Sequence, residues 1–196
     1  VTTAYQFMRP IAFLTVKGPG LNFYKFYGPL ILSVFSVGVY LLAPVKIQLV
    51  GSGSATDHMI GFFSILPGFF IASLAAIVAF QGGDLDEIMP DVSVMVVVQG
   101  ESALVDITLR VFLCYLFSFL TVASFVGFFI CVGGSLMAPS LLEIVMSAES
   151  PGAQSFVITV LEAGFVAVLT IVTASVVLCT AQGLYFLAER VHQKLL

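Results

Sequence analysis

Four stretches of this chain are each long and apolar enough to cross a lipid bilayer, and that property leaves few folds open. A crossing takes about 20 mostly apolar residues as α-helix, and in lipid every backbone N–H and C=O needs an internal partner. The stretches run Pro29 to Val50, His58 to Phe80, Ile107 to Val132 and Pro151 to Ala188. The last is too long for one crossing: about 50 Å or more as helix, against roughly 30 Å of hydrocarbon. Its end, Glu189-Arg190-Val191-His192, is therefore expected in water. The 196 residues are 60% hydrophobic and 9% charged, whereas a soluble domain is about 45–50% apolar and about 25% charged. This excludes an ordinary soluble enzyme, a disordered tail, a collagen and a coiled coil. With 7 Lys+Arg against 11 Asp+Glu, no general basic surface exists for phosphates, so no direct nucleic-acid partner is expected. The fold class that remains is an all-α integral membrane protein with four transmembrane helices.

Basic residues set the expected orientation. Arg9, Lys17, Lys25, Arg110, Arg190 and Lys194 fall on one side and Lys46 on the other, so the positive-inside rule places both termini in the cytoplasm. The chain then divides into a cytoplasmic arm (1–26), helices one and two (27–80), a cytoplasmic connection (81–106), helices three and four (107–188) with an external loop (133–150), and a cytoplasmic tail (189–196). Phe23, Tyr24, Phe26 and Tyr27 beside Lys25 read as an interfacial belt. Residues are expected to precede Val-Thr-Thr-Ala, and no cleavable signal peptide is read.

Two short elements are expected outside the spans. Val92 to Val98, apolar and bounded by Pro90 and Gly100, reads as a buried strand, with a buried helical turn as the alternative. A lone strand is unstable, so it needs a partner: Ile11 to Val16, or the same strand of another copy. Ser140-Leu141-Leu142-Glu143 has the spacing of a capping box and predicts a short external interfacial helix over Leu141 to Met146.

Candidate functional residues are few. Glu162 lies about three turns into the fourth span, where a carboxylate costs of order 2.5–3.5 kcal/mol. Three readings stand open: hydrogen bonding to Ser or Thr on a neighbour, pairing with Lys46, or lining a polar path. Small residues recur at helical spacing at Ser64, Gly68, Ala72 and Ala76, at Ala123, Gly127 and Cys131, and at Ala163 and Ala167, then Ser175, Cys179 and Gly183. Such ridges let helix backbones approach in lipid. Packing within one chain and self-assembly are both open, and a four-helix chain can leave one ridge for a neighbour. Asp84, Asp86, Glu87 and Asp91 form an acidic loop, read either as solvated or, with Arg190 and Lys194, as a docking surface for a cytoplasmic protein. Asp106 and Arg110 are spaced for an i,i+4 helix pair. Cys114, Cys131 and Cys179 read as packing thiols. His58 and His192 fall on opposite sides, and no catalytic constellation, metal site or cofactor motif is read, so no enzyme is expected.

In size, in its four spans with cytoplasmic ends, and in the inner loop from Gly82-Gly83-Asp84 to Asp106, the chain resembles the membrane subunit of the Kiwa anti-phage defence system of bacteria. The resemblance implies a non-enzymatic sensor in the bacterial inner membrane that assembles as a homo-oligomer, a tetramer, and holds a cytoplasmic DNA-binding effector. It transfers no site residues. The rival expectations are an oligomeric ion channel with Glu162 near the permeation path, and a small transporter or assembly factor.

Overall fold

Prolines bracket the first helix. In the computed structural model, which describes residues 9–18, 20–44, 48–51, 53–80, 83–98, 101–147 and 151–192, helix α1 spans Gly28–Leu42 with a proline in its first turn. A π-helical turn, Phe23–Tyr27, leads into it. The helix stops at Leu42, well before the expected Val50, because Ala43 precedes Pro44 and is extended, with φ −63° and ψ 128°.

Helix α2 spans Ala55–Ala79 with Pro67 inside it. Ser54 caps it: its Oγ accepts from Asp57 N–H at 3.3 Å, and Asp57 Oδ2 accepts from Gly53 N–H at 3.1 Å. After a 3₁₀ turn, Gly83–Asp86, come strand β1, Ile88–Val98, and strand β2, Glu101–Thr108. They form an antiparallel hairpin in which Ser93 faces Asp106 and Val98 faces Glu101.

Val92 to Val98 is therefore extended, and its partner is the stretch immediately after it. The expected partner, Ile11 to Val16, lies mostly in a 3₁₀ turn, Arg9–Thr15, and the arm reaches the hairpin through a single bridge, Lys17 to Ser93.

Helix α3 spans Leu109–Met146, and Thr108 caps its start by accepting from Val111 N–H at 3.4 Å. Helix α4 spans Pro151–His192. The separate external helix is not present: Leu141 to Met146 is the end of α3. Gly133-Gly134 does not break the helix, because Gly134 sits under the Phe165 ring of α4, where a Cβ would lie 2.6 Å from Cε2. That glycine serves a close helix approach, and Pro139 is carried within the helix.

Among the described residues, four helical segments are long and apolar enough to cross a membrane: Phe23–Leu42, Ala55–Ala79, Leu109–Met146 and Gly152–Leu187. α2 packs on α3, α3 on α4 and α4 on α1, giving the row α2–α3–α4–α1. Consecutive α1 and α2 do not form a packed pair. Large apolar side chains cover the outside, Phe35, Ile65, Phe69, Phe129 and Phe156 among them. A lipid solvent accepts that surface; water does not.

One part of the buried core lies where the arm and hairpin meet the start of α3. Phe13, Val16, Met89, Val92, Val94 and Ile107 close on Phe112, Leu113 and Leu116. The two ends of the bundle thus differ. The hairpin end holds the arm, the hairpin and the start of α3. The far end holds the α1–α2 and α3–α4 connections.

Candidate functional site

At the hairpin end one guanidinium joins three elements. Arg110 is the second residue of α3, and its Nε–H and Nη2–H donate to Asp86 Oδ1 and Oδ2 at 2.7 and 3.0 Å. Its Nη1–H donates to the carbonyls of Ile77 and Phe80 at 2.9 and 2.7 Å. Carbonyls at a helix C-terminus have no partner within the helix and carry its negative dipole end, so a cation is favoured there. The hydrogen bond from Arg110 holds the Asp86 carboxyl below its ordinary pKa.

The expected Asp106–Arg110 helix pair is not formed. Asp106 lies in β2, opposite Ser93, because the helix begins only at Leu109. Both oxygens of Asp86 are engaged, while Glu87 stays exposed and its carbonyl accepts from Leu109 N–H at 3.2 Å. The side chains of Asp84, Asp91 and Arg190, and residues Lys46 and Lys194, lie outside the described residues.

The arm is held by a second cation. Lys25 is 5% exposed, its Nζ donates to the Val16 carbonyl, and it lies 4.7 Å from the centre of the Phe13 ring. Phe13 in turn packs on Phe112 and Phe119, at 5.9 and 5.3 Å between ring centres. Lys17 and Ser93 exchange backbone hydrogen bonds at 2.7 and 3.0 Å. Of the aromatic belt, Phe23, Phe26 and Tyr27 face outward as expected, and Lys25 turns inward between them. The spacing of Lys25 carries no sign of that burial.

Within the spans, Tyr40 O–H donates to Glu162 Oε2 at 2.7 Å, joining α1 to α4. Along the same seam Ser33 O–H donates to the Ala167 carbonyl at 3.1 Å, and Gly28 lies under Leu178. The Ser or Thr partner expected for Glu162 is thus replaced, in this contact, by tyrosine. Many span hydroxyls turn back on their own helix instead, as Ser124 does to Leu120, Thr173 to Leu169 and Thr180 to Val176. Sequence reading missed Tyr40; the signal was a phenol in an apolar helix, whose O–H needs an acceptor once it is buried.

The small-residue ridges divide sharply. Gly127 lies under the Phe63 ring, where a Cβ would be 2.6 Å from ring carbons, and Cys131 is buried on the same side. Ala163 and Ala167 are half-buried, and Gly183 lies under Leu116. Ser64, Gly68, Ala72 and Ala76 are all exposed, on the side of α2 away from buried Phe63, Pro67 and Phe70. No protein-family model, curated protein or solved structure matches the chain.

Proposed function

We propose that the protein is a non-enzymatic membrane sensor and scaffold. It sits in the bacterial inner membrane as a homo-oligomer, a tetramer, with both termini and the hairpin in the cytoplasm. There it holds a soluble DNA-binding effector of an anti-phage defence system. The observation that supports this best is the Arg110 clasp, in which the C-terminus of α2, the turn at Asp86 and the start of α3 share one guanidinium. A displacement of either helix has to move the others, and the hairpin that continues from them, as a unit. The hairpin presents Met95 and Leu104 outward, paired in register and half exposed. That is a compact surface for a partner, held in place by packing beneath it.

The test is recovery of a stoichiometric soluble partner with the tagged, detergent-solubilised chain. Met95→Lys with Leu104→Lys should abolish recovery and leave the membrane bundle folded. A selective current in planar bilayers that depends on Glu162, with no partner recovered, would replace this reading with the channel.

A further inference from the structure

The arm leaves β1 only partly covered. Lys17 and Ser93 exchange main-chain hydrogen bonds, so the N–H and C=O of Ser93 lie on the side of β1 away from β2. Main-chain groups alternate sides along a paired strand, and the register with β2 is unbroken from Ser93 to Val98. The N–H and C=O of Met95 and Val97 therefore point the same way as those of Ser93. Continued as a strand, the arm would set Thr15 beside Met95, but Arg9–Thr15 turns off as 3₁₀ helix. Among the described residues nothing hydrogen-bonds to β1 on this side between Ser93 and Val98 except Lys17.

Where the arm departs it leaves a cleft of about 430 Å³, lined by Leu14, Val16, Lys17 and Asn22 of the arm and by Met95. Proteins ordinarily blunt a free strand edge with Lys, Pro or a bulge, because such an edge is a template for another chain. β1 has none of these from Val94 to Val98, where the sequence is Val-Met-Val-Val-Val and the pairing is regular. β2 carries Glu101 and Asp106 instead. Lys17, where the open edge begins, is exposed, and among the described residues no carboxylate pairs with it.

We propose that this edge takes up an extended, acidic and apolar segment of a soluble polypeptide as a further strand of the sheet. The segment's main chain pairs with Met95 and Val97, an apolar side chain seats on Leu14 and Met95 in the cleft, and a carboxylate meets Lys17. In strand addition the main chain supplies affinity and the side-chain contacts supply specificity. A second copy of the chain fits less well, because its own Val94 to Val98 offers no carboxylate to Lys17. This grip rests on the hairpin being the docking end of the scaffold, and it continues the face formed by Met95 and Leu104.

Random-sequence peptides displayed on phage and panned on the full chain in detergent test it. Enriched peptides should carry Asp or Glu among apolar residues. They should slow amide hydrogen exchange at Met95 and Val97 by about ten-fold or more, a readout that needs no variant. Met95→Leu, which keeps the N–H, should bind them as wild type does. Met95→Pro and Val97→Pro each remove an outward N–H and leave the bonds to β2 in place, and each should weaken binding about ten-fold. Lys17→Glu should reverse the charge preference. Failure to enrich any peptide overturns the proposal, as does equal binding to the proline variants or unchanged exchange at Met95 and Val97. Amides there that are slow in the peptide-free oligomer and fast in the monomer would overturn it in favour of a second copy. A soluble partner recovered equally by wild type and Met95→Pro would overturn strand addition and leave the scaffold. Peptides held by the edge with no partner recoverable from cells would overturn the scaffold and leave strand addition.

Discussion

Arg110 shows how much one side chain can determine when its shape matters as well as its charge. The guanidinium fork places two donors on Asp86 and still reaches two carbonyls of α2, Ile77 and Phe80. A lysine keeps the charge and loses the fork. Arg110→Lys should therefore lower the thermal midpoint in detergent by a few degrees and Arg110→Ala by more, read by intrinsic tyrosine fluorescence or static light scattering. Asp86 adds a pH signature. Its folded-state pKa is depressed below the ordinary 3.8 by the hydrogen bond from Arg110. The stability it contributes is therefore complete above the unfolded value and is lost as pH falls through the folded one. The difference in midpoint between wild type and Asp86→Asn should stay constant from neutral pH down to about pH 5, then shrink in stronger acid. A difference that vanishes at pH 6 would assign the contribution to another group. In the seam between α1 and α4, Tyr40→Phe and Glu162→Gln should be coupled. A double-mutant cycle of unfolding in mixed micelles should give about 0.6 kcal/mol, the mean for interhelical hydrogen bonds in membranes, and no more than about 1.7 kcal/mol.

Elements were legible where a single physical rule governs them and obscure where two rules compete. The four spans follow from length and apolarity alone, and Ala55–Ala79 falls close to its expected bounds. Pro44 would have set the end of α1 had the rule for the residue before proline been applied to Ala43. The hairpin was half legible. Val92 to Val98 reads as a strand, but Glu101 to Asp106 mixes polar and apolar residues without a clean alternation and reads as part of the cytoplasmic connection. The ridges were legible as a set of surfaces and not as an assignment of partners, because spacing gives a face and only the tertiary row decides which face is covered. The structure makes that assignment, and it can be checked. Gly127→Leu drives a side chain into the Phe63 ring and should destabilise the α2–α3 pair by about 1–3 kcal/mol, as overpacking does. A Cβ at Gly68 meets no atom within 4 Å, so Gly68→Leu should not destabilise the single chain. Equal losses at the two positions would mean that α2 is rotated from the orientation described.

The whole molecule has two unlike ends and an open row between them, and the proposed role depends on which end faces the cell interior. The hairpin, Glu87 and the Arg110 clasp lie at one end; Asp57 and the α2 cap lie at the other, across the span Ala55–Ala79. With Cys114, Cys131 and Cys179 replaced, a membrane-impermeant maleimide should label Asp57→Cys in intact spheroplasts and Glu87→Cys only after permeabilisation. The reverse pattern would put the hairpin outside and remove the cytoplasmic partner from the proposal. Assembly is argued at the same scale. α2 stands at one edge of the row and, among the described residues, has its main packing on α3, so its opposite face, Ser64, Gly68, Ala72 and Ala76, meets lipid or another copy. Lipid tails give apolar helices no hydrophobic drive to associate, and small side chains are what allow backbones to come close enough for dispersion and weak hydrogen bonds to act. If α2 is the contact between copies, Gly68→Leu, harmless to the single chain, should shift the oligomer toward monomer by about ten-fold in mild detergent, the effect of roughly 1.4 kcal/mol per contact. Phe69→Leu, on the lipid-exposed flank of the same helix, should leave the distribution where it was. An oligomer that ignores Gly68→Leu would have to be held through α1 at the other edge of the row, where Leu30, Val34, Phe35 and Leu41 are exposed.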